Sequence, residues 1–311
     1  MPVRFGAQLW VQQTSWRELC DAALTAEREG WDGVWVWDHL LAIFGPWEQP
    51  IFEGWTTLGA FAAVTSRVRL GLMVGANTVR NPGLTAKLAT TLDHVSDGRA
   101  VLGIGGAWFE REHEAFGIDF GSGFGERLDR LDEAVMLMRR LLDGERIAHH
   151  EGRFYQMHDA LVEPRPIQPR LPILIGGSGP KKTLRTTARY ADAWNTNGEL
   201  AKVRQDVATL EAHCADVGRD PAEIERTVSF PILIRDRAAD AEAAWAERMR
   251  ANGTPDAGKN LPYLLGSPAQ VADAIRPFRD ELGFHHVIVR FPAPHDRETL
   301  ARIGEVRELL G

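Results

Sequence analysis

Eight short apolar runs of strand length recur along this chain, each followed by a helical pattern, and that alternation limits the fold more than any other feature. The runs cover residues 3–10, 33–38, 69–75, 100–106, 172–177, 193–197, 226–235 and 286–291. Helix signals fall between them. Ser15 with Glu18 three residues on makes a capping box, and Gly30 stops that helix. Asn81-Pro82 supplies an N-cap and a proline at the first helical position, after which Leu84, Leu88, Leu92 and Val95 read as one apolar stripe. Leu128, Leu131, Val135, Met138 and Leu142 recur at steps of three and four. Gly179-Pro180 starts a further helix with Leu184, Ala188 and Ala191 inward, and Ser267-Pro268 with Gln270 forms a second capping box.

Parallel strands need a crossover helix each, so eight such units predict a single α/β domain over residues 1–311, a (β/α)8 barrel with insertions. A doubly wound open sheet is the alternative. Two stretches fall outside the repeat. Residues 147–162 read as a small hairpin, and the polar, Ala-rich stretch of residues 237–266 reads as an insertion after the seventh strand.

Charge and composition narrow the function. A net charge of −7 opposes a nucleic-acid surface. No apolar run reaches the length of about 18 residues that a membrane span needs. The opening Met-Pro-Val-Arg-Phe-Gly leads straight into a strand pattern without a signal-peptide h-region, so a cytoplasmic protein is expected. Cys20 and Cys214 sit in helical patterns and are expected to be buried free thiols. Ten tryptophans are present, with Trp10, Trp31, Trp35, Trp37, Trp47 and Trp55 in the first fifth of the chain.

In a barrel of this kind the ligand lies at the C-terminal ends of the strands. The residues there are Trp10, Asp38, His39, Met73, Val74, Asn77, Gly105, Gly106, Ala107, Gly176, Gly177, Ser178, Asn195, Asn197 and Arg290. Glycine serves where backbone must approach a flat or phosphorylated ligand. Gly176-Gly177-Ser178-Gly179-Pro180 reads as an anion site of backbone N–H groups at a helix start, with Lys181, Lys182 and Arg185 adding charge. His39, at a strand end beside Asp38, has the ordinary pKa of a general acid or base. His149-His150 and His285-His286 suggest a metal, but adjacent side chains of an extended segment point to opposite sides, so no metal is expected. No GxSxG elbow is present.

Taken in order, Asp38-His39-Leu40, residues 69–82, residues 92–99 leading into Gly105-Gly106-Ala107-Trp108, residues 172–195 and Gly266-Ser267-Pro268 resemble the bacterial luciferase-like monooxygenase superfamily, and most of all its F420-dependent oxidoreductases. The resemblance covers nearly the whole chain. It implies a luciferase-like barrel with coenzyme F420 lying across the strand ends, a bulge with a cis Met73–Val74 peptide backing the ring, and a phosphate on the Gly176–Ser178 amides. Asp38, Asn77, Gly105, Gly106 and Ala107 would belong to the cofactor site, and His39 would stand at the reactive edge of the ring as the catalytic residue. Lys181, Lys182, Arg185 and Arg189 suit the polyglutamate tail of F420. The deazaflavin sugar dehydrogenases of this superfamily carry a Glu where this chain has Trp108. The indole, with Trp10 and Trp37, points to an apolar or aromatic small-molecule substrate. The alternatives are an FMN-dependent two-component monooxygenase using O₂ and a non-catalytic cofactor-binding barrel. A homodimer is expected, as is a separate reductase or F420-reducing dehydrogenase that supplies reduced cofactor.

Overall fold

The computed structural model describes residues 2–254 and 263–311. In chain order the strands are β1 (Arg4–Leu9), β2 (Gly33–Val36), β3 (Arg69–Leu72), β4 (Gly75–Ala76), β5 (Ala100–Gly105), β6 (Ile147–Glu151) and β7 (Gln156–Ala160). They continue as β8 (Ile173–Gly176), β9 (Ala193–Thr196), β10 (Glu225–Ile234), β11 (Leu264–Gly266) and β12 (His286–Phe291). Parallel pairing runs from β1 through β2, β3, β5, β8, β9, β10 and β12 and returns to β1, so eight strands close into a barrel. An open doubly wound sheet is thereby excluded. Each of the eight apolar runs supplies one barrel strand. They are buried on both faces, the reason they read as continuous apolar stretches.

The helices α1 (Trp16–Arg28), α2 (Gly54–Val64), α3 (Pro82–Val95), α4 (Glu110–Phe116) and α5 (Phe124–Leu142) lie in the first half of the chain. The second half carries α6 (Thr183–Tyr190), α7 (Leu200–Val217), α8 (Ala238–Ala251), α9 (Pro268–Leu282) and α10 (Arg297–Leu310). Both capping boxes form, at Ser15/Glu18 and at Ser267/Gln270. The hairpin pairs β6 with β7 antiparallel. Between β10 and α9 lie α8 and β11, and β11 adds in parallel to the far end of β10. Residues 255–262 of this stretch lie outside the described residues.

The core has two layers. The larger lies between the barrel and its helices, and a smaller one fills the barrel interior with Trp35, Met73, Val101, Leu174, Ala193 and Ile288. Trp35 dominates the interior. A Cβ on Gly6, Gly33 or Gly71 would stand 2.4, 2.9 or 2.7 Å from its ring. Those three glycines make room for one indole.

Local expectations change in four places. α3 turns Thr85, Ala86, Ala89, Thr90, Leu92 and Asp93 inward, while Leu84 and Val95 are 51% and 50% exposed. The small residues let α3 lie close to its neighbours, and the buried Asp93 carboxylate accepts from the amides of Ile167 and Gln168. The third barrel strand is interrupted at Met73–Val74, and β4 pairs separately with β5. α6 begins at Thr183, not at Gly179-Pro180, because residues 180–182 form a turn first. Cys20 and Cys214 are both free, but Cys20 is half-buried.

Candidate active site

The end of β2 delivers Trp37, Asp38 and His39 to the barrel mouth in succession, and their side chains diverge. Asp38 is 2% exposed and accepts from Arg80 at 2.6 and 3.0 Å and from the Ala76 amide at 3.1 Å. Burial pushes its carboxyl above the ordinary range, against the pull of the Arg80 guanidinium. Arg80 also reaches Glu53 at 2.6 Å. Asp38 therefore braces the β2 and β4 ends together.

His39 turns to α4. Its Nδ1 donates to Glu112 Oε1 at 3.0 Å, and the other carboxylate oxygen accepts from the Leu40 amide at 2.8 Å. Glu112 is 1% exposed, so this carboxylate is committed to orienting the imidazole and its loop. With Nδ1 held as the donor, Nε2 is the atom left to exchange a proton. Trp108 stands edge-on to the imidazole with ring centres 5.4 Å apart, and is itself 60% exposed at the rim.

The Met73–Val74 peptide is cis. Gln8 Nε2 donates to the Met73 carbonyl at 2.7 Å, and the Met73 amide donates to the Val36 carbonyl at 2.7 Å, so residues of β1 and β2 hold the bulge. The Val74 side chain projects over β5 and β8. A Cβ on Gly105 would lie 2.9 Å from Val74 Cγ2, and one on Gly176 would lie 2.9 Å from Val74 Cγ1. These glycines accommodate Val74 directly, whereas the sequence reading gave them to the ligand. Gly106 likewise leaves space for Leu128, and Ala107 adopts φ +61, a left-handed conformation that few non-glycine residues take.

The Gly-rich corner after β8 differs from its expected form. Gly177 has φ +122, but its amide donates to the Asn195 carbonyl at 3.0 Å. That N–H is part of the sheet and not open to a ligand. The amides of Ser178 and Gly179 have no acceptor among the described residues. Ser178 Oγ accepts from Lys202 Nζ at 2.8 Å, which brings a cation from α7 to the corner. Lys181 and Arg185 do not line the cavity. Lys182 is paired with Asp129 at 2.6 Å and Arg189 with Asp132 at 3.5 Å, so acids of α5 answer half of the expected basic cluster.

These groups border a cavity of about 560 Å³ at the barrel mouth, within the usual range for a small-molecule site. Of the residues singled out in the sequence, Trp10, Trp37, Asp38, His39, Met73, Val74, Gly105, Gly106, Ala107, Trp108, Gly176, Gly177 and Ser178 all line it. Asn77 does not. It is 3% exposed and donates to the Tyr155 hydroxyl at 3.2 Å, as a brace behind the wall. Trp10 stacks on Phe44 with ring centres 4.4 Å apart, and Trp245, Met249 and Tyr263 from the stretch after β10 close the apolar side.

Sequence reasoning missed Gln8, Arg80, Glu112 and Lys202. Glu112 lies between Glu110 and Glu114 in a short polar helix, which reads as a solvated face, and only the closure of the barrel shows that one of the three turns inward. His149 and His150 do point apart, His149 to His158 across the hairpin and His150 to Glu133. Among the described residues no group of three or more His, Cys, Asp or Glu side chains is placed to hold a metal. No helix of the described residues is long and apolar enough to cross a membrane.

Comparison with known proteins agrees with this geometry. The chain is 31% identical to an F420-dependent glucose-6-phosphate dehydrogenase of Nakamurella multipartita, over 98% of this chain and 95% of that protein. It is 34% identical to the enzyme of the same name from Kineococcus radiotolerans, over 97% of this chain and 95% of that one. Among solved structures, an F420-dependent secondary alcohol dehydrogenase in complex with an F420–acetone adduct superposes with a TM-score of 0.86 over the full length of both chains, at 21% identity, a likeness of fold. The model of the luciferase-like monooxygenase family matches residues 1–253, and the chain belongs to that family.

Proposed function

We propose that this protein is an F420-dependent oxidoreductase that moves a hydride between the C5 position of the deazaflavin and a small organic substrate. The observation that carries the reading is the His39–Glu112 pair at the mouth of the cavity, beside the cis bulge, in a chain about a third identical to F420-dependent dehydrogenases. The residues fit the cofactor. Val74 presents a small apolar face for the ring, and the free amides of Ser178 and Gly179, with Lys202 beside them, suit a phosphate. Lys181 and Arg185 are offered to the acidic tail outside the cavity.

The bound deazaflavin supplies the hydride chemistry, and the protein supplies position and one proton. Glu112 holds the imidazole through Nδ1, which leaves Nε2 as the atom at which His39 takes or returns a substrate proton. Trp10, Trp37 and Trp108 exclude water around it and suit an apolar or aromatic substrate body. None of the three resembles a sugar-phosphate site, so the sugar phosphate of the named relatives is not assigned to this chain.

The family name favours a second reading, an FMN-dependent monooxygenase fed by a separate reductase. Titrating the protein with F420 and with FMN at matched concentrations, followed by fluorescence, separates the two. The proposal expects F420 to bind at least tenfold more tightly, and preferential binding of FMN would overturn it. His39→Ala and His39→Asn should each lower turnover at least tenfold, since acid–base catalysis contributes about 10² or more, with cofactor affinity within a few-fold. Full turnover in both variants would remove His39 from the mechanism. The homodimer expected for this chain is tested directly by sedimentation velocity.

A further inference from the structure

Among the described residues that line the cavity, Arg290 is a cation that the chemistry above leaves idle. Arg290, near the end of β12, lies in register with Gln8 of β1 and Pro231 of β10, and its side chain lines the cavity. It donates to Ser229 Oγ at 2.9 Å, and that hydroxyl is 3.3 Å from Asn195 Oδ1. Among the described residues Arg290 makes no ion pair. Two inward arginines elsewhere do. Arg80 has Asp38 and Glu53, and Arg139 has Asp143 and Asp192.

A half-buried guanidinium with only a hydroxyl for company is poorly compensated. Burial alone draws the Arg290 pKa down to about 10, with no carboxylate to lift it. The carboxylates that line the cavity are already engaged, Asp38 by Arg80 and Glu112 by His39. Neither carboxylate is left for Arg290, so the anionic partner that a guanidinium calls for comes with a ligand.

Position separates this cation from the expected cofactor wall. The bulge follows β3 and the Ser178 corner follows β8, whereas β12 stands across the ring of strands, between β10 and β1. A guanidinium offers two parallel N–H groups to one carboxylate. We infer that the substrate of this enzyme carries a carboxylate, or an equivalent anionic oxygen, on an apolar body, and that Arg290 holds that group. The inference rests on the reading that the cofactor occupies the Val74–Ser178 wall. The cofactor has anionic oxygens of its own and is the other source of the same chemistry.

The test uses the full chain, with Arg290→Gln and Arg290→Lys. Thermal midpoints are measured with benzoate, phenylacetate, cyclohexanecarboxylate and octanoate, and with the four matching amides. F420 affinity is measured in parallel by fluorescence. The expected result is stabilisation by acids and not by their amides, with at least tenfold weaker acid binding in Arg290→Gln and partial retention in Arg290→Lys. F420 affinity should change less than threefold. A wild-type protein that treats every acid like its amide would overturn the inference, as would acid binding unchanged in Arg290→Gln. Tenfold loss of F420 affinity with acid binding intact would assign Arg290 to the cofactor instead, and the substrate inference would fall. A wild-type protein that binds no F420 but shows the Arg290-dependent acid effect would overturn the proposed activity and leave the anion site standing.

Discussion

Gly176→Ala is the substitution through which the packing of the barrel mouth is best tested. The new Cβ would lie 2.9, 3.0 and 3.5 Å from Val74 Cγ1, Cγ2 and Cβ. Carbon atoms in contact prefer about 3.5–4.0 Å, so Val74 must move by a large part of an ångström. Overpacking of this degree typically costs about 1–3 kcal/mol. Gly176 is not among the positive-φ glycines, which leaves the clash with Val74 as the main penalty. Val74→Ala removes both methyl groups involved. The double variant Val74→Ala/Gly176→Ala should therefore be no less stable than Val74→Ala alone, with a coupling energy of at least about 1 kcal/mol in a double-mutant cycle. Gly177→Ala is the control. Its Cβ has room, 3.4 Å from Thr183 Cγ2, but φ is +122, so its cost is in the backbone and Val74→Ala should not relieve it. Urea denaturation of the five variants measures each term. Additivity within about 0.5 kcal/mol for the Val74/Gly176 pair would refute the argument that this glycine exists to seat Val74.

Two further outcomes follow from the same geometry. Burial lowers the His295 pKa to about 4, so the folded protein keeps this imidazole neutral while the unfolded chain protonates near its usual value of about 6.5. Stability should fall as pH drops from about 6.5 to about 4, and His295→Gln should flatten that limb in urea titrations at a series of pH values. Ser178→Ala should weaken F420 binding by roughly fivefold, about 1 kcal/mol for one hydrogen bond, whereas Lys202→Met should weaken it more and in a salt-dependent way; fluorescence titration at two ionic strengths tells them apart.

The barrel was legible because its strands are buried on both faces and so read as unbroken apolar runs, each with a capped helix behind it. The mouth was legible as a set of strand ends, and His39 and Ser178 were found that way. What the sequence could not show is who answers whom. Glu112 meets His39 across 73 residues, Arg80 meets Asp38 across 42 and Lys202 meets Ser178 across 24. Such contacts exist only once the ring has closed. The glycines misled in a different way. Gly105 and Gly176 do line the cavity, but they also make room for the side chain of the bulge, a packing role the sequence did not show. In α3 hydrophobicity alone marked Leu84 and Val95 as inward, while close packing had chosen alanines and a buried Asp93.

Trp35 and the glycines at 6, 33 and 71 have a consequence for descent. No one of the three glycines can gain a side chain while the indole stands among them, and loss of the indole first leaves an empty barrel centre. Trp35, Gly6 and Gly33 therefore drift as a block. Relatives that keep a tryptophan at the position of Trp35 should keep all three glycines, and lineages that replaced it should carry side chains at the positions of Gly6 and Gly33, while Gly71, whose Cβ would also meet the Val101 carbonyl at 2.6 Å, stays glycine.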